Sequence, residues 1–280
     1  MVPPRSLRSL PPEAPVADAA RDEAFAAFAL QAARDAGRAI LPHFRESIDV
    51  DDKGGARGYD PVTEADRAAE AVIRDAIAAR YPDHGIEGEE HGRTPGTSRY
   101  TWVIDPIDGT RSFIVGHLHW ATLIALHDGE RPVVGVTHQP YVGESFVGVN
   151  GRAEWIRGDA RRRLRTRSCS RIDDAIVATT DPRHFVSPQQ RHAYEQASAR
   201  ARLVRFGGDC YCYTQVAMGL VDVVIETGLK AYDIQSLIPL IENAGGVVTN
   251  WEGGPCDRGG DVLACGDPAL HAQLVAAIRA

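Results

Sequence analysis

The sequence predicts an α/β protein whose first half is of the α+β kind. Three observations carry that prediction. Two stretches near the start repeat apolar residues at helical spacing. Short β-rich runs separated by Asp-Gly and Asn-Gly then suggest an antiparallel meander. Beyond an arginine-rich run, strands and helices alternate, as in a layered α/β arrangement.

Residues 1–17 are rich in proline and read as a flexible tail. From Asp18 to Arg45, Ala20, Ala24, Phe28, Ala32, Ala36 and Ile40 recur on one helical face, and Pro42 bends or ends the helix. The stretch DVDDKGGARGYDP reads as a mobile loop. A second helix runs from about Val62 to Tyr81, with a stripe of Ala65, Ala69, Val72, Ile73, Ala76 and Ile77, and Pro82 stops it. Tyr100–Ile104 is an apolar strand ending at Asp-Pro. Trp120–His127 and Val133–Thr137 flank Asp128-Gly129, and Ser145–Val149 and Ala153–Ile156 flank Asn150-Gly151.

RGDARRRLRTRS, at 157–168, punctuates the chain and reads as a solvated face. Strands are expected at Ala175–Thr179, Arg202–Phe206, Val221–Glu226, Val247–Thr249 and Val262–Ala264. Helices are expected at Pro188–Arg200, Cys210–Met218, Ile234–Ala244 and Pro268–Ala280. The expected organisation is thus a tail at 1–17, an N-terminal half at 18–156 and a C-terminal half at 157–280.

Composition narrows the function classes. The 280 residues carry 38 acidic and 31 basic side chains, a formal charge of -7, and 44% are apolar. These values fit a soluble globular chain and exclude collagen-like, disordered and coiled-coil types. A net negative chain is a poor polyanion binder, so nucleic acid is not an expected partner. No apolar run approaches the roughly 20 residues that span a bilayer, so no membrane is expected either. The first twenty residues lack the apolar core of a secretory signal. Five cysteines without a C-x-x-C pair suit a reducing cytoplasm.

The chemistry concentrates in WVIDPIDGTRSF, 102–113. An apolar strand delivers Asp105, and Pro106 and Gly109 force a turn holding Asp108 and Thr110. Two carboxylates at the end of a buried strand repel one another, and a cation between them removes that cost. With the Ile107 carbonyl they make an oxygen donor set for a hard ion such as Mg2+. A turn that uses Asp, Pro and Gly for backbone reasons alone is the alternative. Gly88-Glu89-Glu90 adds adjacent acids, and Asp233 opens an apolar helix, where an N-cap role is the simpler reading. Asp66 rides the apolar stripe of the second helix, at the edge where a lone acid is usually solvated.

D-P-I-D-G-T-x-x-F at 105–113, G-E-E at 88–90, D-P-V-T-E-A-D at 60–66 and Y-D-x-x-x-L-x-x-x-x-E-x-A-G-G from 232 together resemble the inositol monophosphatase-like, magnesium-dependent phosphatases. The resemblance runs from about Asp18 to the C-terminus. It implies a layered α-β-α-β-α sandwich and a homodimer. It also implies metal-ligand roles for Glu89, Asp105, the Ile107 carbonyl, Asp108 and Asp233, with two or three Mg2+ ions. Asp66 is then the partner of Thr110 or a ligand to a third, weaker metal. Where family members often have Trp before the last aspartate, this chain has Tyr232.

Charge counting makes the metal necessary, because five acids repel a phosphate dianion until divalent ions reverse the sign. Catalysis is expected from Glu89, Thr110 and Asp66, which orient a metal-activated water for in-line attack on phosphorus, with no protein nucleophile. Gly109 and Thr110 offer N–H groups to phosphate. Asp209 and Glu226 fall, on the family pattern, around the alcohol part of the substrate, and with Asp233 complete the substrate-binding set. Two acids there favour a cationic alcohol. The G-G-D and G-L-K-x-Y-D strings also resemble the histidinol-phosphate phosphatase branch, so L-histidinol phosphate is the expected ester. Inositol-1-phosphate or another small sugar phosphate is the alternative within the class. A metal-stabilised interaction protein without catalysis is the alternative outside it. His117 and His119 read as surface or core residues.

Overall fold

The computed structural model describes residues 16–47, 49–52 and 61–280; the Pro-rich residues 1–15 and most of the 49–61 loop lie outside them. The first helix, α1 (Val16–Ile40), buries Phe25, Ala29, Ala32, Ala33, Ala36 and Ile40. Ala20 and Ala24, expected on its inner face, are exposed. Alanines occur all round this helix, so composition leaves its face open and Phe25 decides it. The ends of the Gly-rich loop are not loop: β1 (Val50–Asp52) pairs antiparallel with β2 (Pro61–Thr63). The second helix, α2 (Glu64–Arg80), starts after Thr63, whose side chain and backbone pair with Asp66 in a capping box.

Next come β3 (Gly85–Gly88), β4 (Gly92–Thr94), β5 (Thr101–Asp108), the short helix α3 (Thr110–Ile114) and β6 (Ala121–His127). Strands β7 (Pro132–Gln139), β8 (Glu144–Val149), β9 (Arg152–Arg157) and β10 (Ala160–Arg163) complete an eight-stranded sheet in the order β10-β9-β8-β7-β6-β5-β3-β4. All pairs are antiparallel except β3–β5, so the expected meander holds from β5 to β10. The arginine run does not simply punctuate the chain. Arg161–Arg163 form β10, and the sheet therefore extends past residue 156. Those charges line an open strand edge, a placement that discourages edge-to-edge pairing with another chain.

The second half supplies β11 (Ile176–Thr179), α4 (Pro188–Ser198), β12 (Leu203–Phe206), α5 (Asp209–Ala217) and β13 (Val223–Leu229). It ends with α6 (Ala231–Ile234), α7 (Leu237–Ala244), β14 (Val247–Asn250), β15 (Gly260–Cys265) and α8 (Pro268–Ile278). The five-stranded sheet runs β12-β11-β13-β15-β14. The single helix expected over 234–244 is two, α6 and α7, broken near Ser236.

Three apolar clusters fix the layers. One lies between α1, α2 and the first sheet, and a second joins that sheet through α5 and α7 to the second sheet. A third lies between the second sheet and α4 and α8. The result is the α-β-α-β-α sandwich that the sequence resemblance implied. The middle helix α7 sits so close to the first sheet that strand positions beneath it carry glycine. A Cβ at Gly135 would stand 1.9 Å from the Ser236 carbonyl oxygen, and one at Gly148 2.4 Å from the Leu240 nitrogen. Gly135→Ala is expected to destabilise the fold by about 1–3 kcal/mol, the range for forcing extra volume into a packed layer. Urea unfolding monitored by circular dichroism measures it.

Candidate metal centre and active site

The site forms where β5, α2, α5 and α6 meet. The strand expected to stop at the Asp-Pro continues to Asp108, because a bulge between Asp105 and Asp108 absorbs the missing N–H of Pro106. Thr122 Oγ1 donates to the Pro106 carbonyl at 2.8 Å and fixes the bulge. Gly109 follows with φ +86°, and a Cβ there would lie 2.5 Å from the His119 carbonyl oxygen. Only glycine meets both demands.

The bulge brings Asp105 and Asp108 together with Asp233 from α6. Each offers one carboxylate oxygen, and the three lie within 4.8 Å of one another. Each also has one oxygen held by a backbone N–H. Asp105 Oδ1 accepts from Ile107 at 3.0 Å, Asp108 Oδ2 from Cys210 at 2.9 Å, and Asp233 Oδ2 from Lys230 at 2.7 Å. Backbone hydrogen bonds thus hold all three carboxylates in the place where they converge. An all-oxygen donor set of this charge fits Mg2+ or a similar hard divalent ion.

Asp66 is buried rather than solvated at the stripe's edge. Its Oδ2 accepts from the Thr63 N–H at 2.8 Å and the Thr63 hydroxyl at 2.5 Å, while Oδ1 is buried without a hydrogen-bond partner. The resemblance implies that Asp66 is the partner of Thr110 or a ligand to a third, weaker metal. The structure gives it Thr63, and the Thr110 hydroxyl donates instead to the Ile107 carbonyl at 3.1 Å. The helix start explains the exchange, because Asp66 as the third residue of α2 closes the capping box. An orphaned buried carboxylate oxygen beside other acids is a second observation that suits a cation.

Glu89 stands outside the 4.8 Å group, at the end of β3. Its charge nevertheless acts on Asp66, Asp105, Asp108 and Asp233. Burial, with these like charges adding to it, pushes the four aspartates upward. Asp108 is pushed up to about 7 by burial and by Asp209, and Asp66 to about 7 by burial against the opposing Thr63 bonds. Asp105 and Asp233 are raised well above the usual carboxylate range.

These directions set a pH dependence. Ligation needs the ionised forms, so Mg2+ affinity is expected to rise between about pH 6 and 8 with release of protons. For the metal-free protein the sign is reversed. A carboxyl raised in the fold favours the native state at low pH, and that contribution is lost as pH rises from the ordinary value of 3.8 through the raised values near 7. Calorimetric Mg2+ titrations in buffers of different ionisation enthalpy, with melting curves from about pH 4 to 8, check both.

Asp209 is the first residue of α5, half-buried, with φ +43°. It does not cap the helix. Its Oδ2 accepts from Ser112 Oγ at 2.6 Å, across the join between the two halves, and its pKa is raised by burial. His119, Arg111 and His117 oppose that shift, so the two histidines taken for surface or core groups share the field of Asp209. Glu226 is buried, accepts from the Thr180 N–H, and is pushed up to about 7 by burial, with Asp209 adding to it.

Sequence reasoning passed over Glu70, Arg74 and Ser112. Glu70 and Arg74 were legible as an acid and a base four apart on one helix. Ser112 was not, because its partner is 97 residues away.

Among the described residues, no helix is long and apolar enough to cross a membrane. A model of the inositol monophosphatase family matches residues 21–280. The chain is 37% identical over 266 residues to "Bifunctional phosphatase IMPL2, chloroplastic" of Arabidopsis thaliana, covering 91% of this chain and 75% of that protein. It is 35% identical over 251 residues to a histidinol-phosphatase of Chlorobaculum parvum, covering 89% and 95%. Among solved structures, an inositol monophosphatase from Zymomonas mobilis superimposes with a TM-score of 0.81 at 36% identity, over 92% of this chain and 98% of its own. With the carboxylate centre and the five layers already in place, this breadth of match shows that the chain belongs to the inositol monophosphatase family of phosphatases, which depend on metal, typically Mg2+.

Proposed function

We propose that the protein is a Mg2+-dependent phosphomonoester hydrolase whose substrate is L-histidinol phosphate, released as L-histidinol. The observation that carries the substrate choice is Asp209, a half-buried carboxylate beside Asp108 and tied to Ser112. A carboxylate at the rim of an already acidic centre suits an alcohol that brings positive charge. Histidinol brings an amine and an imidazole, whereas inositol is neutral. The 35% identity to a protein named histidinol-phosphatase supports the same choice.

In this reading Asp105, Asp108, Asp233, Glu89 and the Ile107 carbonyl hold two or three Mg2+ ions, with Asp66 Oδ1 available to one of them. Bound Mg2+ supplies the positive charge that offsets the acids and the phosphate, and polarises the phosphoryl group. Glu89 and Thr110 orient the attacking water, with Asp66 fixing the start of α2 behind them. The water oxygen forms the new bond to phosphorus, the ester P–O bond opposite it breaks, and the alcohol leaves with a proton. Gly109 and Thr110 N–H groups meet the phosphate, while Asp209, Glu226 and Asp233 face the alcohol side. A homodimer in the cytoplasm completes the proposal. Five buried cysteines, all unpaired, agree with a reducing compartment.

A panel of histidinol, inositol, fructose and adenosine phosphate esters, assayed for phosphate release with and without EDTA, tests this. The highest kcat/KM is expected for histidinol phosphate. A preference for inositol-1-phosphate, the ester named for the inositol monophosphatases, would transfer the choice to that alternative. Metal-dependent phosphate release from any of them excludes a purely non-catalytic role.

A further inference from the structure

Glu70 is fully buried in the middle of α2, one turn beyond Asp66 on the same face. It makes no contact with the three converging aspartates in the hydrogen-bond network. Its carboxylate is engaged elsewhere. Oε2 accepts from the Glu90 N–H at 2.7 Å, and Oε1 from the His91 N–H at 3.1 Å and from Arg74 Nε at 2.6 Å. Arg74 in turn donates to the Gly92 carbonyl and, at 3.1 Å, to Thr94 Oγ1. The pair thus clasps the turn from Glu90, the residue next to Glu89, to β4. On the other side of that turn, the Glu89 N–H donates to the Ile104 carbonyl at 3.2 Å, in the strand that delivers Asp105.

The fit is close. A Cβ on Gly88 would stand 2.1 Å from Glu70 Oε1, so the carboxylate fills the space that the missing side chain leaves. The glycine of G-E-E is needed for the approach of Glu70. Both carboxylate oxygens meet backbone donors, a task that a neutral amide, with one acceptor and two donors, cannot perform.

We propose that Glu70 is a positioning residue that sets where Glu89 points its carboxylate, and so tunes metal binding through a turn it does not itself share. The inference rests on Glu89 being a metal ligand. The test uses the full chain and Mg2+ alone as the probe. Mg2+ affinity is measured by calorimetry on metal-free protein, together with kcat, KM and melting temperature, in Glu70→Gln, Glu89→Gln, the double variant and Ile77→Val.

Glu70→Gln is expected to weaken Mg2+ binding and lower kcat by roughly tenfold or more, the scale on which groups behind a ligand act, with KM little changed. Ile77→Val, a buried change farther along α2, is expected to lower the melting temperature while leaving Mg2+ affinity alone. The double variant is expected to bind Mg2+ no more weakly than Glu89→Gln, because Glu70 acts through Glu89. Affinity and kcat within about twofold of wild type in Glu70→Gln, or effects that add in full, would overturn the inference. If Glu89→Gln itself binds Mg2+ normally, the ligand reading falls and this one with it; a loss in Glu89→Gln alone overturns only the role of Glu70. Should Glu70→Gln not fold, Gly88→Ala decides, since its Cβ displaces the Glu70 carboxylate. The same loss of affinity is expected, and unchanged affinity would count against the proposal.

Discussion

Asp108→Asn is expected to cut phosphate release by at least about a thousandfold while making the metal-free protein harder to melt. The loss follows from the proposed role of Asp108 in the metal centre, where electrostatic stabilisation is worth several kcal/mol and each 1.36 kcal/mol is tenfold in rate. The gain in stability follows from the same crowding. Asp108 sits among Asp209, Glu89, Asp105 and Asp233, and burial with these neighbours holds its carboxyl up to about 7. An amide removes a charge that the fold tolerates poorly, yet keeps an oxygen for the Cys210 N–H. Steady-state assays at saturating Mg2+ and melting curves in EDTA should therefore move in opposite senses. A variant that loses activity and stability together would point to simple damage instead.

Asp209→Asn is expected to separate the candidate substrates. The amide oxygen preserves the bond from Ser112, so the change is one of charge more than shape. Hydrogen bonds to charged groups contribute about 1.5–3 kcal/mol, so kcat/KM on histidinol phosphate should fall by roughly 10- to 150-fold. On inositol-1-phosphate it should change by less than about threefold, since that alcohol has no charge to lose a partner for. The ratio of the two constants is the diagnostic, because general weakening of the site cancels from it. Equal losses on both esters would place Asp209 in the scaffold of the centre rather than against the alcohol.

Much of the architecture was legible because local signals agreed with tertiary packing. Asn150-Gly151 marked its hairpin, with φ +47° and +72° at the turn, and the alternation after residue 175 marked the second sheet. The errors arose where packing outweighed pattern. Proline at 106 argued for a strand end, yet a bulge carried β5 through it. Alanine-rich α1 left its inner face open, and the packing of Phe25 against the core fixed it. Asp66 looks misplaced in the sequence because a helix beginning near Val62 puts Thr63 inside it, whereas Thr63 is the N-cap that Asp66 pairs with. The carboxylates of the centre were legible through their motifs. The orientation of Asp108 was not, because Cys210 reaches it across 102 residues and no local signal reports such a bond.

That long separation bears on how the protein is made. Asp105 and Asp108 leave the ribosome well before Cys210 and Asp233, so the nascent chain carries Asp108 without the N–H that holds it. On the proposed metal reading, the complete acidic set forms only as the last third of the polypeptide docks, which ties capture of the divalent ion to the closing stage of synthesis.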